Sequence, residues 1–187
     1  MIGEYNKVMD LENIFSLKNF YVPKVETKKD LIKEILKEKN TFFKKNPQAV
    51  NENFTFKPTN FTKKLYERFL TTSYKMFGNF NLSNKNSKLC YVLCTNKNTY
   101  NSVPHHHINT STINSVYYLN IPNTACEIKF LINNKWISYQ PSDHELLIFP
   151  NYLVHDTVKN NIKEWRISLN MEIICDFKWN TGKKNEI

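Results

Sequence analysis

The sequence predicts a mainly β domain preceded by helices, and three observations carry that prediction. Two stretches before residue 80 place apolar side chains at helical spacing. From Ser87 onward, short apolar or alternating runs are separated by polar clusters, the pattern of antiparallel strands. A chain of 187 residues with 41% hydrophobic and 14% aromatic residues can bury one substantial core and is too short for two large ones. The same composition excludes a disordered chain, and no apolar run is long enough to span a bilayer. The expected organisation is a helical N-terminal extension over residues 1–86 packing on a β core over 87–179, with a polar, frayed tail over 180–187.

The first helix is expected near 28–39. Thr27 with Asp30 three residues on gives a capping-box-like start, and Leu31, Ile32, Ile35 and Leu36 follow among lysines and glutamates. The second begins after Pro58-Thr59-Asn60, carries Leu65, Tyr66, Phe69, Leu70, Tyr74 and Phe77 on one broad face, and stops at Gly78. A stripe of this kind packs a core, so these helices are expected to buttress the sheet that follows. The strands are expected at Leu89–Cys94, Val116–Ile121, Glu127–Ile132, Leu146–Phe149 and Trp165–Ile174.

Charge and cysteine content narrow the class further. The net charge of +9 is uneven: residues 1–86 hold 16 basic and 9 acidic side chains, against 10 and 8 in residues 87–187. Such a bias attracts anionic partners, nucleic acid among them, but no aromatic-basic stacking motif accompanies it. The spacing of Cys90, Cys94, Cys126 and Cys175 matches no zinc ribbon, and reduced, mostly buried thiols are expected. Residues 1–10 show neither an apolar stretch nor a cleavage signature, which makes a cytoplasmic location the default.

Three features in the β half point to chemistry: His105-His106-His107, then His155, then Arg166-Ile167-Ser168. Imidazole is the commonest transition-metal ligand, and residues i and i+2 of an extended segment face the same side, so His105 and His107 are a candidate ligand pair. If Asn160-Asn161 forms a two-residue hairpin turn, His155 falls directly opposite Arg166, with Cβ atoms roughly 5 Å apart. Ser168 and Asn170 then continue the face of Arg166, while Trp165, Ile167 and Leu169 point into apolar packing. The bland alternative for Arg166 is a surface ion pair with Glu164 or Glu172. A metal-bound imidazole beside a guanidinium and a hydroxyl suits a chelating dicarboxylate such as 2-oxoglutarate, whose distal carboxylate takes two parallel hydrogen bonds from an arginine fork.

The histidine pair, Asn114-Ser115-Val116-Tyr117-Tyr118-Leu119, the apolar run ending in Phe149-Pro150, His155 and Arg166-x-Ser168 together resemble the Fe(II)/2-oxoglutarate-dependent oxygenase superfamily. The likeness is to its small prolyl-hydroxylase-related members, many of them carried by phages, and it covers residues 87–175. It implies a double-stranded β-helix, a jelly-roll or cupin-like core. It implies Fe(II) held by His105, His107 and His155, and 2-oxoglutarate held by Arg166 and Ser168 with one of Tyr117 or Tyr118, since strand alternation forbids both from facing inward. The implied activity is hydroxylation of a substrate C–H bond with oxidative decarboxylation of 2-oxoglutarate to succinate. The commonest first ligand pair in the family is His-x-Asp or His-x-Glu, and this chain departs from it with His-x-His; relatives also tend to carry Gly where this chain has Ser115 and His144. Beside the small-molecule cosubstrate, the basic N-terminal half favours a macromolecular or anionic substrate. Two rival classes are a three-histidine cupin-type metal dioxygenase that uses no 2-oxoglutarate and a non-catalytic β-sandwich binding module.

Overall fold

Two amphipathic helices and a series of short strands have to hide apolar faces from water, and the chain does so in layers. The computed structural model describes residues 6–7, 13–49, 53–85, 90–99, 103–122 and 127–179. Its elements in order are β1 (Asn6–Lys7), β2 (Phe15–Leu17), α1 (Val25–Lys45), β3 (Asn53–Phe56), α2 (Asn60–Phe77), β4 (Cys90–Thr95), β5 (Ile113–Asn120), β6 (Ile128–Ile132), β7 (Lys135–Tyr139), β8 (Leu146–Pro150), β9 (His155–Thr157) and β10 (Arg166–Ile173). The expected terminal tail and Cys126 lie outside the described residues, among which Cys90, Cys94 and Cys175 are thiols.

All ladders are antiparallel. The major sheet runs β1-β2-β8-β5-β10-β4-β3 and the minor sheet β7-β6-β9. Alternation along the strands sorts side chains between two cores. On one face of the major sheet, Val92, Cys94, Leu119, Ile167 and Leu169 pack with Leu31 and Ile35 of α1 and Leu65, Tyr66 and Phe69 of α2. On the other face, Val116, Tyr118, Leu147 and Phe149 meet Ile128 and Phe130 of the minor sheet. The architecture is therefore helices on a sheet on a second, smaller sheet, as the mainly β reading with N-terminal helices expected.

The helices follow the sequence with one correction. α2 starts and ends where expected: Thr59 is its N-cap, with a reciprocal capping box to Thr62, and Gly78 at φ 81° follows its last turn. α1 is longer than expected because it begins at Val25, immediately after Pro23-Lys24, and the N-cap Lys24 makes no side-chain cap, so Thr27 lies inside the helix. Residues 1–86 also supply three strands that were too short to read from the sequence, with β2 pairing β8 and β3 pairing β4.

A larger correction concerns Asn160-Asn161, which does not form a hairpin turn. β9 pairs with β6 in the minor sheet, while β10 pairs with β4 and β5 in the major sheet, so the intervening residues 158–165 cross between sheets. The cause is the buried Asn160 side chain, whose Nδ2 donates to the carbonyls of Thr95 and Glu164 at 3.0 Å each and whose Oδ1 accepts from the Ile162 amide at 3.0 Å. These bonds pin the crossing loop to β4. Arg166 consequently opposes Thr95, and His155 opposes Phe130.

Candidate active site

Between the two sheets, where apolar packing gives out, lies a cavity of about 420 Å³. His105, His107 and His155 enter it from the minor-sheet side, and Arg166, Ser168 and Asn114 from the major sheet. These residues converge across the sandwich instead of along one hairpin.

Backbone pairing brings the histidines together. The N–H of His105 donates to the carbonyl of His155 at 3.1 Å and the N–H of His155 returns the bond at 3.0 Å, so an isolated antiparallel bridge sets the two rings 4.4 Å apart between centroids. His107, two residues on, turns to the same side, and its N–H donates to the Asn151 carbonyl at 2.8 Å, docking the loop on the end of β8. One ligand nitrogen from each of His105, His107 and His155 lies within 4.8 Å of the other two. His106 between them is exposed and outside the trio.

The tautomers follow from the hydrogen bonds. Nδ1 of His105 is 2.8 Å from the Val103 carbonyl, and Nδ1 of His155 is 3.0 Å from the Leu153 carbonyl. A carbonyl only accepts, so both Nδ1 atoms carry the proton and both Nε2 atoms keep a lone pair. Nδ1 of His107 lies 3.0 Å from Oε1 of Glu172, which makes the same demand. Burial pushes the pKa of His155 down to about 3, the carbonyl of Leu153 opposing and the neighbouring histidines reinforcing the shift, so this imidazole is neutral at physiological pH. Three convergent imidazoles, each with its Nδ1 turned to an acceptor, fit a transition-metal ion that prefers nitrogen ligands. No fourth His, Cys, Asp or Glu joins the group among the described residues, and three ligands leave positions open for other ligands.

Arg166 makes the other half of the site. It is 1% exposed, yet Nε, Nη1 and Nη2 have no hydrogen-bond partner among the described residues. Its guanidinium carbon sits 5.6 Å from the centroid of the Tyr118 ring. The Tyr118 hydroxyl lies close enough to the guanidinium to interact with it without a well-formed hydrogen bond, and the buried hydroxyl of Thr95, the cross-strand neighbour of Arg166, is unpartnered among the described residues. Burial raises the pKa of Tyr118, and Arg166 only partly opposes that, so the phenol keeps its proton as a donor. A desolvated cation offset only by a phenol ring and hydroxyl costs several kcal/mol unless an anion with oxygen acceptors completes it. The surface ion pair of Arg166 with Glu164 or Glu172 is not formed; Glu172 bonds His107 instead.

Strand alternation decides between the tyrosines. Tyr118 opposes Ser168 across the β5–β10 ladder and faces the inter-sheet layer, aided by a register shift between Ile167 and Ser168. Tyr117 faces the helices and is not a site residue: its hydroxyl donates to the Tyr21 carbonyl at 2.6 Å and lies 3.0 Å from Nδ1 of His144. His144 is half-buried and has φ 63°, the left-handed region that favours glycine, so the Gly of the family pattern corresponds here to a real backbone demand. Burial lowers its pKa, with the Lys28 ammonium contributing.

Sequence reasoning missed Asn114 and Glu172 as site residues. They oppose one another across the β5–β10 ladder, and both line the cavity. Asn114 Oδ1 accepts from the Ser111 hydroxyl, which leaves a buried Nδ2 with no partner among the described residues. The i+2 alternation from Arg166 through Ser168 and Asn170 to Glu172 was the signal that could have found Glu172.

No protein-family model matches the sequence, and no curated protein matches it. Solved structures do match. A prolyl hydroxylase from Trichoplax adhaerens, in complex with a peptide fragment of the hypoxia inducible factor oxygen degradation domain, aligns with a TM-score of 0.58 and 14% identity over 89% of this chain and 85% of that one. A viral collagen prolyl hydroxylase from Paramecium Bursaria Chlorella virus-1 aligns with a TM-score of 0.56 and 14% identity over 95% and 97%. A Phytophthora capsici prolyl 4-hydroxylase aligns with a TM-score of 0.51 and 12% identity over 75% of this chain, which spans about half (54%) of that one. The two sheets and their buttressing helices are therefore the double-stranded β-helix fold of the prolyl hydroxylases.

Proposed function

We propose that the chain is an Fe(II)- and 2-oxoglutarate-dependent oxygenase that hydroxylates a C–H bond of its substrate. The observation that carries this reading is the buried guanidinium of Arg166, unpartnered and facing the same cavity as three convergent imidazoles. His105, His107 and His155 would hold the metal through Nε2. Arg166 would fork the distal carboxylate of 2-oxoglutarate, with Tyr118 and Ser168 donating to the same oxygens. When bound, Fe(II) supplies the activation of O₂ that converts 2-oxoglutarate to succinate and CO₂ and places one oxygen atom on the substrate.

The chain's own task is positioning and exclusion of water. Arg166 and the histidines line the same cavity, and together they would fix the orientation of a cosubstrate held at both its ends. Phe149 packs edge-on against His155 at 4.9 Å and, with Phe130 at 6.2 Å, shields that imidazole from solvent. A cavity of about 420 Å³ holds a five-carbon dicarboxylate with room for part of a substrate. A macromolecular substrate accords with the Trichoplax adhaerens enzyme, which was captured with a peptide. No described helix is long and apolar enough to cross a membrane. The three-histidine dioxygenase without 2-oxoglutarate shares the metal ligands but leaves the Arg166 guanidinium without an anion.

The test is turnover of 2-oxoglutarate by Fe(II)-loaded protein, followed as succinate, for wild type and Arg166→Met. Wild type should form succinate even without substrate, and the variant should keep its iron while losing at least about 100-fold in kcat/KM for 2-oxoglutarate, as expected when a buried charge-assisted pair is removed. Stoichiometric iron binding without any 2-oxoglutarate binding or succinate would favour the three-histidine dioxygenase and reject this reading.

A further inference from the structure

The three histidines hold their Nδ1 protons in two different ways, and the difference singles out one residue. His105 and His155 each use the carbonyl two residues earlier, Val103 and Leu153. The equivalent carbonyl for His107 is that of His105, which already accepts the amide of His155 in the bridge that brings the rings together. The acceptor found by His107 instead is a carboxylate from another sheet, Glu172 of β10, at 3.0 Å. The Thr110 hydroxyl is a poorer candidate at 3.5 Å from the same nitrogen, and it donates to the His107 carbonyl at 3.3 Å. Glu172 does not itself enter the group of convergent ligand atoms, so it stands behind His107 and not beside it.

We propose that Glu172 is the positioning residue of the metal site: its carboxylate accepts the Nδ1 proton of His107, fixes that ring with Nε2 toward the ion, and supplies through the imidazole the negative charge that a His-x-His ligand pair lacks. This inference rests on the metal reading given above. A carboxylate bonded to the far nitrogen of a ligand imidazole orients the ring and raises its basicity, and losing such a partner lowers metal affinity by about 10- to 100-fold. Glu172 sits in the major sheet, and the loop that carries His107 reaches β9 of the minor sheet through His105, and Asn151, just after β8 of the major sheet, through His107 itself.

Two measurements test this separately. The first uses metal-free protein at a pH near 8 and long-range ¹H–¹⁵N correlation spectra: wild type should show His107 as the Nδ1–H tautomer, and Glu172→Ala should lose that preference. The second is anaerobic titration with Co(II) alone, read by its visible absorption. Glu172→Ala should weaken binding by about 10- to 100-fold, and Glu172→Gln, which still accepts through its amide oxygen but carries no charge, should fall between it and wild type. An Nε2–H tautomer in wild type overturns the proposal, as does a Glu172→Ala dissociation constant within twofold of wild type. A loss in Glu172→Gln as large as in His107→Ala also overturns it, because Glu172 would then be a ligand. Wild-type protein that binds no Co(II) would sink the metal reading, while the tautomer still decides whether Glu172 orients His107.

Discussion

At the scale of single residues, Arg166 is the side chain whose surroundings make sense only with something added. A buried arginine that contributes to stability is paired, and removing its partner's counterpart costs about 3–5 kcal/mol. Arg166 is 1% exposed, its nitrogens make no well-formed hydrogen bond among the described residues, and the Tyr118 ring and hydroxyl beside it offset its desolvation cost only in part. Arg166→Met keeps most of the volume and removes the charge. Its expected effect on ligand-free protein is neutral to stabilising, by up to about 4 kcal/mol in urea unfolding. Addition of 2-oxoglutarate at about 100 times its dissociation constant should stabilise metal-loaded wild type by about 2.7 kcal/mol and leave the variant unmoved. A destabilisation of several kcal/mol in the ligand-free variant would show that the guanidinium has an internal partner, and the anion site would have to be abandoned.

At the scale of elements, the sequence was most legible where local chemistry decides the outcome. α2 is the clear case, because its start and stop are each a side-chain or backbone bond within four residues: Thr59 accepts from the Thr62 amide at 3.2 Å, the Thr62 hydroxyl is bonded by the Thr59 amide at 2.8 Å, and the Gly78 amide closes on Tyr74 at 3.0 Å. Thr59→Ala should therefore cost about 1 kcal/mol, measured by the shift in the urea midpoint at constant slope. The hairpin after His155 was misread because an Asn-Asn pair carries no information about which of its bonds the tertiary structure will use. The chain does contain an Asn-Asn two-residue turn, at Asn133-Asn134 between β6 and β7, with both residues at positive φ (49° and 59°) and Ile132 paired with Lys135. Asn160, chemically identical, instead spends its amide on Thr95 and Glu164. The strands β2 and β3 were invisible for a related reason: three or four residues hold too few alternations for a period to show, and their pairing is set by partners far away in sequence.

At the scale of the whole molecule, the site was legible as a set and not as a path. His105, His107, His155, Arg166 and Ser168 all line one cavity, although the arrangement that unites them is a sandwich of two sheets and not one hairpin. Burying the His155 imidazole between the sheets has a global consequence. In the folded chain His155 titrates at about 3, against about 6.5 for an unperturbed imidazole. Between these values the unfolded chain binds a proton that the folded chain refuses, so stability rises with pH in this window and is lost as pH falls below about 6.5. His144, whose pKa is also lowered by burial, acts with the same sign. One fully shifted histidine contributes a slope of at most about 1.4 kcal/mol per pH unit, so metal-free protein should lose about 2 kcal/mol between pH 7.5 and pH 5. Urea unfolding at pH 7.5 and pH 5 should show this loss in wild type and a smaller one in His155→Gln, the remainder belonging to His144. Equal slopes in the two proteins would mean that His155 accepts a proton in the folded state without penalty, and its packing against Phe130 and Phe149 would not shield it from water.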